Sequence, residues 1–265
     1  QMDLPEPFTL QELFIAGVFP ALLMITLLSA YSIWASPDAA LQRQPFDKED
    51  AWQAITDMRW ELPLPLIVLG GIYSGFFAVS EAAAVTAFYV LIVEVLIYRE
   101  VPLLKLPGII RDAMVMVGGI LLILAVSLAF TNFLIDAEIP QFLIEKVGEF
   151  IESKVTFLIL LNVLLLALGA ILDIFSALII MVPLIVPMAL RFGIDPVHLG
   201  IVFLANMQIG YFTPPIGMNL FIASYRFKKS IAELYRATLP FMAVLLFALL
   251  IITYIPELSL YLLDR

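Results

Sequence analysis

The 265-residue sequence has no cysteine and a single histidine, His198. The first absence excludes disulfides, thiolate metal sites and cysteine nucleophiles, though it says little about compartment. The second argues against a histidine-built metal site or catalytic base. Charge is scarce as well: 14% of residues are Asp, Glu, Lys or Arg, where soluble domains carry about 25%. The net charge is −9 and no basic stripe is present, so a nucleic-acid partner is not expected. There is no basic segment followed by an apolar core and a cleavage site, so no signal peptide is recognisable. The chain opens at Gln1 rather than Met, and we expect it to begin part-way through a longer protein.

What the sequence does have is apolar surface. Hydrophobic residues make up 63% and mean hydropathy is +1.05. Apolar runs of membrane length recur from end to end, which predicts one all-α integral membrane domain over residues 1–265. Residues 12–35 form the first span, with Pro20 tolerated inside it, and 36–61 form a polar loop. Residues 62–98 stay apolar for about twice a bilayer crossing. Gly70, Gly71 and Gly75 interrupt this run, and Ser80-Glu81 resembles an N-cap with an acidic first turn. Two short helices meeting near Gly75–Glu81 are expected. A span near 112–134 follows, then an acidic surface helix over 136–154. The remainder divides into a second double-length run (155–192), a segment broken by Thr213-Pro214-Pro215 (197–225) and a last span (236–260).

Charge orients this trace. With 36–61 on the cytoplasmic side, 98–111 and 226–236 fall there too. That side then holds ten of the 14 Lys and Arg residues; Lys146, Lys154, Arg191 and Arg265 are the other four. The asymmetry agrees with the positive-inside rule. Trp34, Trp60, Tyr98 and Tyr261, near span ends, read as interface anchors.

Two features carry chemistry. The first is Gly210-Tyr-Phe-Thr-Pro-Pro-Ile-Gly217, inside an apolar segment. Pro214 and Pro215 have no N–H, so the carbonyls of Gly210 and Tyr211 are expected to lose their helical donors. Unsatisfied carbonyls in hydrocarbon cost several kcal/mol each, so this backbone must be buried, hydrated or bound to a cation. Carbonyls and the Thr213 hydroxyl are hard oxygen ligands suited to Na⁺, and the helix restarting beyond Pro215 would turn its positive end toward an anion. The competing reading is a proline kink with packing glycines. The second feature is Asp173, in Gly169-Ala-Ile-Leu-Asp-Ile-Phe-Ser176. If 155–192 makes two full crossings, Asp173 sits at a surface, where its charge is ordinary. If the run is a re-entrant hairpin, Asp173 and Ser176 lie at a tip inside the protein, where a carboxylate is costly and functional. Val155–Leu172 is barely long enough to cross, and Pro183 and Pro187 weaken the second arm as a span. Other polar residues have plainer readings. Glu81 is a cap rather than a ligand. His198, after the N-cap and N1 pair Asp195-Pro196, is an interfacial residue. Asn206 and Gln208 join helices or line a site.

Together, Gly169–Asp173, Val182-Pro183 and Pro187, Gly193-Ile-Asp-Pro-Val-His-Leu-Gly200, Asn206 and Gly210–Phe221 resemble the large membrane subunit of tripartite ATP-independent periplasmic (TRAP) transporters. Leu69–Gly75, Ser80–Val85, Tyr98-Arg99 and Leu13–Gly17 with Pro20 fit the same subunit, although the family more often has Thr where Ser80 stands. The resemblance implies an elevator-type carrier of two inverted repeats, each with a re-entrant hairpin and a broken helix. It implies Na⁺ coupling, a small membrane subunit, a periplasmic substrate-binding protein, and a bacterial or archaeal inner-membrane location. On that pattern Asp173, Gly210, Thr213, Gly217 and Met218 hold Na⁺, and Ser176, Asn206, Thr213, Pro214 and Pro215 border the substrate, a small organic anion such as a C4-dicarboxylate or sugar acid. The other repeat, with its own hairpin and sodium loop, has no counterpart in these residues. Transport is expected to need it from a separate chain or from further sequence. The alternatives are a sodium-coupled anion carrier that works without a binding protein, an unrelated ion channel, a purely structural subunit, and a membrane-embedded enzyme using Asp173. The enzyme reading is weak, because Asp173 lacks an obvious carboxylate partner other than Glu81, and Ser176 lacks a histidine base.

Overall fold

The computed structural model describes residues 9–35, 47–138, 142, 151, 153–172, 174–214 and 218–263. Among these residues the chain is helical and contains no strand. Among the described residues four stretches are long and apolar enough to cross a membrane: Leu10–Ala35, Ser80–Ile97, Ile174–Arg191 and Ile231–Tyr254. The chain divides into two compact units. One is Thr9–Gln11 with Ser36–Gly119; the other is Gln1–Phe8, Glu12–Ala35 and Ile120–Arg265. Helices are numbered along the chain: α1 is Leu10–Ala16 and α2 is Val18–Ala35. Most of the acidic stretch 136–154 lies outside the described residues.

In the unit built on Ser36–Gly119, the polar loop contains a helix, α3 (Lys48–Asp57). The Asp47 carboxylate caps it by accepting from the Glu49 amide at 2.8 Å. Its spacing puts Ala51, Trp52 and Ile55 on one side and Glu49, Asp50, Gln53 and Asp57 on the other. Next, α4 (Pro63–Tyr73) opens on a proline. It closes at Gly75, whose φ of +73° suits a residue without Cβ. The amides of Phe76 and Phe77 both donate to the Gly71 carbonyl at 3.0 Å. Helix α5 (Val79–Ile92) begins earlier than expected: its N-cap is Ala78, not Ser80. Glu81 then stands three residues into the helix, and its carboxylate accepts from the Ala78 amide at 2.9 Å. Five residues of π-helix (Val93–Ile97) continue α5. Tyr89 Oη donates to the Trp60 carbonyl at 2.6 Å and Tyr98 Oη to that of Asp57 at 3.1 Å, fastening the end of α3 to this helix. Arg99 follows at φ 58°. Helix α6 (Leu106–Asp136) starts six residues before the predicted span.

The other unit holds α7 (Lys154–Gly169), α8 (Ile174–Arg191), α9 (Pro196–Gly210), α10 (Met218–Phe227), α11 (Ile231–Tyr254) and α12 (Glu257–Leu260). Serine caps open two of them: Ser153 Oγ accepts from Thr156 N at 3.1 Å, and Ser230 Oγ from Glu233 N at 3.3 Å. The expected cap of α9 is present: Asp195 accepts from the amides of Val197 (2.7 Å) and His198 (3.3 Å), with Pro196 at the first helical position. Helix α8 runs unbroken through Pro183 and Pro187. The last span is displaced toward the N-terminus, ending at Tyr254 before Pro256 begins α12.

Ring contacts fix directions. Phe157, early in α7, stacks on Phe192, just past α8, at 5.0 Å, so α7 and α8 form an antiparallel hairpin closed at its base. Tyr31–Phe241 (5.0 Å) and Phe19–Tyr261 (5.8 Å) set α2 antiparallel to α11. At the centre is α9, with eleven of its fifteen residues buried. One of its faces joins Leu161, Leu165, Met181 and Ile185 of the hairpin through Phe203 and Met207. Another joins Ala16, Met24, Ala248 and Ile252 through Ile201 and Ile209. A helix apolar on every side is one enclosed by neighbours. In lipid such packing rests on close fit and polar links rather than on removal from water.

Candidate functional site

Where α7 ends, α9 ends too. The two helices pass so closely that a Cβ on Gly210 would lie 2.6 Å from both Cα and C of Gly169. A Cβ on Gly169 would meet Gly210 Cα at 3.2 Å. Only glycine at 210 permits this approach, the device by which small residues draw membrane helices together. Seven residues before Gly169 and four before Gly210, Asn206 Nδ2 donates to Asn162 Oδ1 at 2.8 Å, so α7 and α9 run side by side in the same direction. The hairpin turn is thereby laid against the break in the apolar segment.

A second contact fastens them. The amide of Ile174, the first residue of α8, donates to Tyr211 Oη at 2.7 Å. Tyr211 sits in the break itself. Its own carbonyl accepts from Asn219 N at 3.3 Å, in the first turn of α10. Thus the C-terminal ends of α7 and α9 and the N-terminal ends of α8 and α10 are tied around one tyrosine. Helix ends carry partial charges, negative at C-termini and positive at N-termini, so both signs of dipole are presented here.

The backbone of the break differs from the sequence expectation in one respect. The carbonyls of Gly210 and Tyr211 do have donors: Thr213 N bonds Gly210 O at 2.8 Å, and Asn219 N bonds Tyr211 O. The chain tightens into a three-residue turn before Pro214, and the next helix folds back to supply the other amide. Each carbonyl oxygen has a second lone pair, so hard oxygen donors persist without being orphaned. Thr213 Oγ1 donates to Ile209 O at 3.0 Å and lies 3.7 Å from Met242 Sδ. Thr213 is half-buried and Pro214 exposed.

Of the other predicted site residues, Asp173, Pro215 and Gly217 lie outside the described residues. Met218 opens α10, and Ser176 is half-buried in the first turn of α8. Asn206 is fully buried between α7 and α9. Its Nδ2 also donates to Val202 O at 2.8 Å, while its Oδ1 has no partner. Asn162 Nδ2 in turn donates to Thr253 Oγ1 at 3.2 Å, linking α7 to α11. The interfacial assignment of His198 is corrected: it is 1% exposed, with Nδ1 3.3 Å from Ser259 Oγ and Nε2 3.3 Å from Thr253 O. Its cap residue is where the sequence put it, but the imidazole turns inward, because α11 and α12 offer two oxygens that an apolar core would otherwise leave unpaired. Gln208 is exposed. Glu81 acts as a cap, as expected, but for Ala78.

Sequence reasoning singled out neither Asn162 nor Thr253, and of Tyr211 it named the carbonyl but not the hydroxyl. Each is a lone polar group in an apolar run, and such groups are placed where a partner exists.

The sequence compares with known proteins as follows. Residues 8–258 match the family model described as tripartite ATP-independent periplasmic transporter, DctM component. The chain is 37% identical over 250 residues to the C4-dicarboxylate TRAP transporter large permease protein DctM of Pseudomonas aeruginosa, covering 94% of this chain and 58% of the relative. It is 34% identical over 256 residues to the isethionate TRAP transporter permease protein DctMQ of Oleidesulfovibrio alaskensis, covering 94% and 40%. It is 30% identical over 251 residues to the 2,3-diketo-L-gulonate TRAP transporter large permease protein YiaN of Escherichia coli, covering 94% and 59%. The chain thus spans between 40% and 59% of these three relatives. These relatives are permeases, not enzymes, which removes the reading of Asp173 as a catalytic acid. With four apolar stretches of membrane length among the described residues and a family match over nearly its whole length, this multi-pass membrane chain belongs to the DctM component family of tripartite ATP-independent periplasmic transporters.

Proposed function

We propose that the chain is part of the permease of a Na⁺-coupled secondary transporter of the inner membrane, which imports a small organic anion delivered by a periplasmic binding protein. The observation that carries this reading is the meeting of hairpin and break, tied by Ile174 N to Tyr211 Oη at 2.7 Å and by the Gly169–Gly210 approach. In this reading α7 and α8 form a re-entrant hairpin, and Asp173, one residue before Ile174, stands at its tip. Na⁺ enters beside Asp173, Thr213 and the carbonyl of Gly210, with Gly217 and Met218 completing the set. Those are hard oxygen donors, the chemistry an alkali cation requires. The anion then lies toward the N-terminal ends of α8 and α10, near Ser176 and Pro214, where helix dipoles favour negative charge.

The relatives are named for a C4-dicarboxylate, isethionate and 2,3-diketo-L-gulonate, all small organic anions. Helix ends suit that range, because they select charge sign more than shape. A small membrane subunit, the binding protein and the rest of the permease complete the working assembly. The elevator motion carries the hairpin and the broken helix across the bilayer as one piece.

The test is uptake by the complete complex in proteoliposomes. Uptake should need both the binding protein and an inward Na⁺ gradient. Asp173→Asn and Thr213→Val should abolish it while assembly persists, whereas Thr213→Ser should retain much of it. Uptake indifferent to Na⁺, or normal in both Asp173→Asn and Thr213→Val, would overturn the reading.

A further inference from the structure

We propose that the cleft at the end of the π-helical stretch binds an anionic phospholipid, whose phosphate is held by Arg99 and whose acyl chain lies along Leu96, Val101, Leu103 and Leu104. The cleft measures about 440 Å³, and Arg99 is the one charged residue among those that line it. Its apolar walls are open: Leu96 is 59% exposed, Leu103 68% and Leu104 94%. An open apolar wall beside a guanidinium matches the two halves of a phospholipid. It does not match a free inorganic anion.

The surroundings place the cleft at the level of a bilayer surface. Tyr98, beside Arg99, donates its hydroxyl to the Asp57 carbonyl at the end of α3, and Tyr89, earlier on the same helix, donates to that of Trp60 just beyond it. Tryptophan and tyrosine gather at membrane–water boundaries. Arg99 directly follows that belt and Lys105 begins the approach to α6. Both belong to the segment that the charge asymmetry assigns to the cytoplasmic face, whose leaflet carries the anionic lipids. Guanidinium binds phosphate through paired, planar hydrogen bonds.

Arg99 itself is unusual. Its φ of 58° is a left-handed conformation that glycine adopts more readily. The backbone therefore does not explain an arginine here. Nor does an internal ion pair: among the described residues no carboxylate lies within 4 Å of its guanidinium, although Glu94 and Glu100 are near in sequence. A π-helical turn just before it adds to the case, since such turns recur at functional sites.

Two measurements on the assembled permease complex decide the matter. First, photoactivatable phosphatidylglycerol and phosphatidylcholine of equal chain length are cross-linked to the unaltered protein and the adducts mapped. Phosphatidylglycerol should label residues 95–104 in preference to phosphatidylcholine. Second, retention of phosphatidylglycerol in native mass spectra should fall about fivefold in Arg99→Gln, the factor expected for one interfacial cation, and less in Arg99→Lys. Equal labelling by the two lipids, labelling elsewhere, or unchanged retention in Arg99→Gln would overturn the proposal. So would protection by millimolar inorganic phosphate, which indicates a free-anion site. Labelling that occurs only without the small membrane subunit would also overturn it, marking the cleft as a protein interface.

Discussion

Tyr211 Oη accepts the backbone amide of Ile174 across 2.7 Å, joining the middle of a broken helix to the first residue after a hairpin turn. Removing that hydroxyl leaves an amide at a helix start without its partner, at a cost of about 1–3 kcal/mol. Tyr211→Phe should therefore insert and assemble, but Na⁺-dependent uptake should need roughly tenfold more Na⁺ for half-maximal rate, since 1.4 kcal/mol is tenfold. A titration of uptake against Na⁺ checks this, and an unchanged half-point would detach the tyrosine from the ion site.

The glycine pair predicts an asymmetry. An added Cβ at 210 meets backbone atoms at 2.6 Å, which cannot yield, while at 169 the nearest atom is at 3.2 Å. Overpacking of a tight interface costs about 1–3 kcal/mol. Gly210→Ala should lower the melting temperature and uptake clearly more than Gly169→Ala. Equal effects in thermal unfolding and transport would mean that the two helices part to accept either methyl.

Asn162 and Asn206 form a buried pair whose worth a double-mutant cycle can read. Hydrogen bonds between membrane helices contribute about 0.6 kcal/mol on average and up to about 1.7. Asn162→Leu alone removes one of the two acceptors of Asn206 Nδ2 and leaves it Val202 O. The double variant with Asn206→Leu should be no less stable than the worse single variant. Strict additivity in denaturation midpoints would show that the pair is not coupled.

Glu81 separates a cap from a ligand. Its carboxylate accepts from Ala78 N, a role glutamine can also fill at that helix position. Glu81→Gln should leave uptake and its Na⁺ dependence unchanged, and Glu81→Ala should cost about 0.5–1 kcal/mol of stability. A transport defect in Glu81→Gln would make it a ligand.

Much of the helix layout could be read from hydropathy and punctuation. Asp195-Pro196 announced the start of α9, and Gly75 the turn after α4, because caps and positive φ are local requirements of the backbone. Tertiary partners were not legible. Nothing around His198 tells that Ser259 and Thr253 lie across from it, so its exposure was misjudged. The carbonyls of Gly210 and Tyr211 were counted as orphans because proline removes local donors. The amide that serves Tyr211 comes from Asn219, eight residues on. Helix α3 was hidden for another reason: hydropathy looks for long apolar runs, and a ten-residue amphipathic helix is not one. For the site, the residue types pointed to the break and the resemblance set it opposite the hairpin tip, while the contacts that join them, Ile174 N to Tyr211 Oη and Gly169 to Gly210, came only from folding.

The Phe157–Phe192 stack has a mechanical consequence. It pins the hairpin at the end opposite Gly169, like the rivet of a pair of tongs. The arm from Phe157 to Gly169 rises about 18 Å along the helix. A swing of about 10° around that rivet carries the far end through about 3 Å. That distance exceeds the width of a dehydrated alkali ion. Small angular play at two stacked rings is thus enough to displace the hairpin turn by more than the width of such an ion.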